Sequence, residues 1–416
     1  MVSTRMIFSQ ATRVFTIGFV GLVVLTMTAN SGVADDGHPV AIRNWEQGIT
    51  IETMWGFQIG LGVKDESLSK LPRKPDLVLS DVGVGESVTL QRLPNQTKLS
   101  ISKEAAASDD GNAVVVKRGQ AGSPATVTVD GLTIVYLDAA ADAEFAKQLV
   151  GKQVVVVATG AGLKPEMYAS IIEAFKPKLM VVKAGVEKVG DQKVESVSHN
   201  TVAVSSDKRE KSRIVALATE GYKLSKELTT LFEKKEAACK KSREVFAKLS
   251  VAQMNFKPAN GTHTPRWNTE HMMGRELHFF SQIYHAVDPE VPVMNLNPAQ
   301  QPNKYKFAHE DWTGEEEACQ TKRVEDFTRR FAYMLDGMSL NKRAKGSRFW
   351  TPKSLLAQME RHYKQHTGNV VKKMELEGWP AGVVSVLPFN DERKATAAAP
   401  IPVSYTHLTL PTICSV

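Results

Sequence analysis

The 416-residue chain contains few cysteines and few aromatic residues, three and 7% respectively. So few cysteines exclude a small scaffold that is held by many disulfides in place of a hydrophobic core. Cys239 and Cys319 lie in predicted helices, where they could pair in an oxidising compartment or pack as small buried apolar residues. Both interpretations stay open.

The excess of positive over negative charge is also modest. The formal net charge is +7, and no basic stripe with interleaved aromatic residues accompanies it, so we expect no nucleic-acid partner. A hydrophobic content of 42% with 23% charged residues is typical of a folded protein. A chain of this length predicts two or three domains.

Long hydrophobic runs are absent beyond the N-terminal residues. Met1–Arg13 carries two arginines and no acidic residue, Val14–Met27 is almost wholly apolar, and small residues follow at Ser31–Ala34. This order predicts a cleaved secretory signal peptide, residues 1–34. We therefore expect a secreted or periplasmic protein that has no membrane partner after signal cleavage.

The C-terminal end carries the letters VSYTHLTLPT, which resemble a translated sequencing adapter rather than evolved protein. We interpret residues 403–416 as an artefact, in which His407 and Cys414 have no function. Residues 386–416 as a whole are predicted to form a tail, because their Ala- and Pro-rich stretch is typical of a linker.

Residues 40–208 are predicted to form a β-rich α/β domain. Asp130-Gly131 separates two short runs of alternating apolar residues, ATVTV and LTIVYL, and this pair is a strong signal for a β-hairpin. Further strands are predicted from β-branched apolar runs at Ile49–Trp55, Phe57–Val63, Asp76–Val82, Ser87–Leu93, Ala113–Lys117, Gln153–Ala158, Lys178–Val182 and Thr201–Ser205. Helices are predicted at Ala139–Val150 and Lys164–Phe175.

Residues 113–185 contain VDGLTIVYLDAA, LKPEMYASIIEAF and KPKLMVV in an order that resembles part of a metallo-β-lactamase-like domain. The resemblance implies a metal ligand at Asp138. The chain has no HxHxDH motif, however, and no histidine directly follows KPKLMVV. We therefore expect this region to be metal-free.

Residues 214–385 are predicted to form an up-down four-helix bundle, after a charged linker at Ser206–Arg213. Two helix starts are well marked. Thr313 and Glu316 form a predicted capping box, and Thr351 precedes a proline at the first helical position. The predicted helices are Tyr222–Leu249, Asn268–His285, Glu315–Met338 and Lys353–Gly378. The proline-rich segment Ala286–Trp312 is predicted to be a lid or wrapping loop.

His362 and His366 are the strongest chemical signal. Residues four apart lie on one face of a helix, and this face also carries the apolar residues Leu355, Met359 and Val370. Two inward-facing imidazoles can hold one metal ion, although ordinary hydrogen-bonded core histidines are the competing interpretation. The second predicted helix offers a third ligand from a set spaced seven residues apart, which consists of His271, His278 and His285.

Residues 222–380 resemble the DinB-like (YfiT-type) superfamily. The segments that carry the resemblance are LSVAQMNFKP, RWNTEHMMGREL and LLAQMERHYKQHTGNVVKKM. It implies a four-helix bundle that holds a divalent metal through one histidine of the second helix and the pair His362 and His366 of the fourth. The family often has its second-helix histidine about eight residues after a tryptophan, but eight residues after Trp267 is Arg275.

The third ligand is therefore left between two residues. His271 lies one turn before the expected position and His278 one turn after it, and we favour His271, which follows Glu270 near the helix start. Nitrogen ligands suit zinc, nickel and iron alike, so the divalent metal is not resolved. No catalytic residue is assigned.

Together these observations predict an exported metal-dependent hydrolase or thiol transferase that acts on a small-molecule substrate. The resemblance supplies these two reaction classes. The alternative is a non-catalytic binding or structural module with a vestigial metal site. The oligomeric state is left open between a monomer and a homodimer.

Overall fold

The computed structural model describes residues 38–54, 56–96, 99–103, 113–120, 123–139, 143–206, 212–294 and 309–381. The described residues all belong to one compact unit. The predicted signal peptide, the predicted tail with its adapter-like end, and most of the predicted proline-rich lid lie outside the described residues. The predicted domain limits stay predictions.

The first half of the described chain is rich in strands. In chain order the elements are β1 (Val40–Trp45), β2 (Gly48–Glu52), β3 (Gln58–Leu61), β4 (Leu77–Val78), β5 (Ser87–Gln91), β6 (Ser100–Ser102), β7 (Ala113–Lys117), β8 (Ala125–Val129), β9 (Leu132–Tyr136), α1 (Ala143–Lys147), β10 (Gln153–Ala158), α2 (Tyr168–Phe175), β11 (Leu179–Val182), β12 (Lys188–Val189), β13 (Gln192–Lys193), β14 (Glu195–Val197), β15 (Thr201–Val204) and β16 (Arg213–Leu217).

The second half is helical. Its elements are α3 (Lys226–Phe246), α4 (Val251–Met254), α5 (Pro265–Val287), α6 (Gly314–Arg330), a short 3-10 helix (Ala332–Leu335) and α7 (Pro352–Lys373). The expectation of a β-rich α/β region followed by helices is confirmed at this level. Among the helices of the described residues, none combines the length and the apolar character that a membrane crossing requires.

Within the described residues the strands form three sheets. The first has five strands in the order β15-β1-β2-β3-β4, and the second has nine in the order β14-β16-β11-β10-β9-β8-β7-β5-β6. β12 and β13 form a separate two-stranded sheet. β16 is absent from the strands predicted above, because it begins at the end of the charged segment interpreted as a linker. It pairs in parallel with both β11 and β14.

The central strands of the nine-stranded sheet are buried on both faces. In β10 the side chains of Val155 and Val157 pack in a core shared by the two sheets, whereas Val154 and Val156 pack with α1 and α2 on the opposite face. Successive side chains of a strand point to opposite faces, so a strand covered on both sides has a continuous apolar sequence. The run QVVVVA has this character.

The five-stranded sheet is covered on its other face by the helices. Ala41 of β1 and Ala203 of β15 belong to the same apolar core as Phe280 of α5 and Phe327 of α6. α3 and α5 each contact both α6 and α7. The layers are therefore short helices, nine-stranded sheet, five-stranded sheet and long helices.

Buried ion pairs also join the strands to the helices. Arg330 at the end of α6 donates to Glu52 of β2 at 2.7 Å. Arg92, which follows β5, binds both carboxylate oxygens of Glu316 at 2.9 and 2.5 Å. The Glu316 side chain is thus engaged by Arg92, while Thr313 still caps α6 by accepting from the Glu316 amide. The predicted reciprocal capping box is therefore only half formed.

Local sequence signals fix several element boundaries. Asp130 and Gly131 both have positive φ, 47° and 74°, as a type I′ hairpin turn requires, and this confirms the predicted hairpin between β8 and β9. Thr351 caps α7 and Pro352 takes its first position, also as predicted. Cys239 is a free buried cysteine, so the pair with Cys319 does not form.

Candidate functional site

α5 and α7 pack side by side and bring three histidines together. His362 and His366 lie one turn apart on the buried face of α7, each with 8% exposure. His271 lies on α5, whose start is fixed by the Thr264 cap and by proline at the first helical position. One ring nitrogen from each of the three histidines lies within 4.8 Å of the others.

The three imidazole rings contact one another. The ring centroids of His362 and His366 are 4.4 Å apart, and the centroid of His271 lies 4.9 and 5.0 Å from them. Trp267 stacks on His271 at 4.4 Å with an interplanar angle of 11°, which fixes the plane of that ring. The triad is therefore held between two helices by packing.

The remaining ring nitrogens have informative partners. His366 Nδ1 lies 2.7 Å from Asn268 Oδ1, while the Asn268 amide nitrogen donates to the Thr264 carbonyl at 2.7 Å. Within the described residues, Nδ1 of His271 and Nδ1 of His362 are buried and have no hydrogen-bond partner. Buried polar atoms are nearly always paired, so these two nitrogens indicate a ligand.

Burial keeps the triad uncharged. It lowers the pKa of His271 to about 3, with a further contribution from His362. Burial likewise lowers the pKa of His366 to about 3, again helped by His362, and lowers the pKa of His362 to about 4, helped by Arg275. Neutral imidazole is the form that binds a metal.

Three imidazole nitrogens are suitable ligands for a divalent cation. Their separation is somewhat larger than a single bound ion requires. Ligand nitrogens about 2.0–2.1 Å from a tetrahedral metal are about 3.3 Å apart. The upper limit of 4.8 Å in the triad is larger, so the rings must move inward by about 1 Å to coordinate one ion. Movements of this size are within the reach of side-chain torsions.

The other histidines of α5 lie outside the triad. His278 Nε2 contacts the Gln282 amide at 2.9 Å, and His285 Nδ1 contacts the Val291 carbonyl at 3.0 Å. His271 is thus the α5 histidine that meets the α7 pair. Within the described residues no second group of three or more potential ligands is found, and Asp138 belongs to none.

A cavity of about 480 Å³ reaches the triad at His366. Trp267 and Asn268 form part of its wall, and His263 stacks on the outer face of Trp267 at 3.7 Å. The polar residues Asn369, Lys372 and Lys373 also line the cavity. Sequence reasoning overlooked Asn268 and Lys373, since neither residue type is a strong site signal alone.

A buried polar network stands behind the triad. Glu276 of α5 accepts from Lys235 Nζ and from Tyr363 Oη, both at 2.6 Å, and all three side chains are almost completely buried. Burial by itself lowers the pKa of Lys235, but Glu276 outweighs it and the pKa is raised. Tyr363 therefore anchors α7 beside His362 through this hydrogen bond to Glu276.

Comparison with known proteins identifies no relative of the chain. No family description, curated protein or solved structure matches the chain. The functional conclusion rests on the residues themselves.

Proposed function

We propose that the chain is a DinB-like metal-dependent hydrolase or thiol transferase. Its four long helices form the up-down bundle of that superfamily, and His271, His362 and His366 hold one divalent cation. The pattern of helix contacts supports the bundle, because α3 and α5 each pack against both α6 and α7.

One observation carries the metal site. Three imidazoles that are neutral at pH 7 converge from two helices, and two of them have a buried Nδ1 without a partner in the described residues. Ordinary core histidines are expected to have both ring nitrogens satisfied. A cation shared by the three rings removes this deficit and agrees with three-histidine sites that leave one position open.

The surrounding residues have separable roles in this proposal. Asn268 keeps the proton on Nδ1 of His366, so that the Nε2 lone pair is available for coordination. Trp267 covers one side of His271 and excludes water there. The cavity at His366 admits a small-molecule substrate. A divalent cation held here supplies Lewis acidity that activates water or a thiol.

Metal content of the purified full chain tests this proposal. We expect close to one equivalent of zinc, nickel or iron by mass spectrometry in the wild type, and none in a His362→Ala/His366→Ala variant. His285→Ala is the matched control, because it removes an α5 histidine outside the triad and should retain the metal.

A chain that stays empty after incubation with zinc and with nickel contradicts the metal site. The non-catalytic binding or structural module then takes its place. A chain that holds metal justifies assays of ester and amide hydrolysis and of thiol transfer, with the double variant as the inactive reference.

A further inference from the structure

The cavity beside His366 contains a buried positive charge. Lys373, the last residue of α7, lines the cavity and is only 5% exposed. Its ammonium group donates to the Asn369 carbonyl at 3.2 Å. This bond uses one of the three donors of the group and leaves two for another partner.

No acidic side chain of the described residues neutralises this charge. The neighbouring charge that acts on Lys373 is that of Lys257, which adds to burial in lowering the pKa of Lys373. Lys372 lines the same cavity and adds a third positive charge. Buried charges are normally paired, so a buried lysine whose charged neighbours in the described residues are other lysines indicates an anion from outside the chain.

The position of Lys373 at the C-terminal end of α7 explains only part of this arrangement. A lysine in the last turn is favoured by the helix dipole, and its bond to the Asn369 carbonyl is a capping contact. A lysine in the last turn also gains from the dipole at a solvent-exposed position, however. The dipole therefore does not explain why the side chain lies inside a cavity.

We propose that this cavity binds an oxyanion group, a carboxylate or a phosphate, of the substrate, with Lys373 as its buried counter-ion. The amide side chain of Asn369 in the cavity wall provides a further polar contact. That the anion belongs to a substrate rests on the proposed function. The anion site itself rests on Lys373.

The helix geometry sets the approximate length of such a substrate. His366 and Lys373 are seven residues apart on α7, which separates their backbone positions by about 10 Å along the helix axis. The two positions lie nearly on one face, because seven residues are close to two turns. The Lys373 ammonium reaches back to the Asn369 carbonyl, three residues after His366. The substrate therefore carries its anionic group about one helical turn from the group that reacts near His366.

The test is calorimetric titration of the full chain with inorganic phosphate and, separately, with succinate. Low ionic strength and a cationic buffer avoid screening and competition. We expect saturable binding of at least one anion, and which one binds distinguishes a phosphate from a carboxylate. Lys373→Met should weaken this binding at least tenfold, and Lys373→Arg should restore it to within about threefold.

Lys364→Met is the matched control. It removes the same charge from the same helix, but Lys364 lies outside the cavity and is ion-paired with Glu360. We expect its anion affinity to stay within about twofold of the wild type. Asn369→Asp is a second, nearly isosteric variant that places a negative charge in the cavity and should also weaken binding at least tenfold.

The inference is overturned when neither anion binds to the wild type, or when Lys373→Met binds the anion like the wild type. Metal content measured on the same samples separates the two proposals. Anion binding that depends on Lys373 in a metal-free chain supports the anion site and rejects the metal-dependent function. A metal-loaded chain without such binding supports the metal site and rejects the anion site.

Discussion

The side-chain oxygen of Asn268 lies 2.7 Å from Nδ1 of His366 and joins α5 to α7 beside the histidine triad. The amide nitrogen of Asn268 is committed to the Thr264 carbonyl, so the oxygen faces the imidazole and accepts its proton. This bond selects the His366 tautomer in which Nε2 has a free lone pair. An outer partner of this kind orients a metal ligand.

Asn268→Ala should lower metal affinity about 10- to 100-fold, because His366 loses the partner that fixes its ring and tautomer. Asn268→Asp is the control, since a carboxylate also accepts the Nδ1 proton and should keep or raise the affinity. Competition with a chromophoric chelator measures both constants. Equal affinities in the wild type and Asn268→Ala would show that the bond has no role in metal binding.

The identity of the third ligand is tested by two single substitutions on α5. His271→Ala should reduce bound metal to a small fraction of the wild-type content, because its ring nitrogen lies in the triad. His278→Ala should retain the metal, because His278 contacts Gln282 instead. Metal analysis after gel filtration decides between them, and retention by His271→Ala would rule out our assignment.

Stability of the metal-free protein should fall in mild acid. An unfolded histidine takes up its proton near pH 6.5, whereas the folded triad residues do so only near pH 3 to 4. Below about pH 6.5 the unfolded state therefore binds more protons than the folded state, and folding loses free energy until the folded pKa values are reached.

Urea unfolding at pH 7 and pH 5 in the presence of a chelator measures this effect. After allowance for solvent screening, we expect a loss of about 1 kcal/mol per triad histidine. The unfolding free energy of the His362→Gln/His366→Gln variant should fall correspondingly less between pH 7 and pH 5, because glutamine does not titrate. An equal fall in unfolding free energy for the wild type and the variant would contradict the assignment of neutral buried imidazoles.

The buried pair of Lys235 and Glu276 should be sensitive to the loss of one partner. Glu276→Gln leaves the Lys235 ammonium without its hydrogen-bonded counter-charge at 0% exposure, which should cost about 3–5 kcal/mol of unfolding free energy. Lys235→Met/Glu276→Gln should recover most of this loss. The control is Lys353→Met, which breaks an exposed pair with Glu227 and should change stability by less than about 1 kcal/mol.

Urea titration compares these variants. A double variant that is no more stable than Glu276→Gln would show that the damage comes from Tyr363 or from packing rather than from an unpaired charge. Tyr363 donates to the other carboxylate oxygen of Glu276, and glutamine can still accept that bond.

Errors in the sequence-based expectations have identifiable physical causes. α5 begins at Pro265 rather than at Asn268, because Thr264 provides the cap and accepts from the Trp267 amide. Glu316 has the spacing of a capping box, but Arg92 from the strand-rich half binds its carboxylate. Burial alone would raise the pKa of Glu316, and Arg92 instead lowers it. A partner 224 residues away leaves no local signal.

Features that depend on neighbours within a few residues can be predicted from the sequence alone. These include the Asp130-Gly131 turn, the start of α7 and the shared face of His362 and His366, since backbone sterics and helical periodicity act locally. Tertiary packing sets two further features: His271 rather than His278 meets the α7 pair, and Lys373 lines a cavity. Both depend on the offset between helices that are far apart in sequence, and packing of the whole core sets that offset.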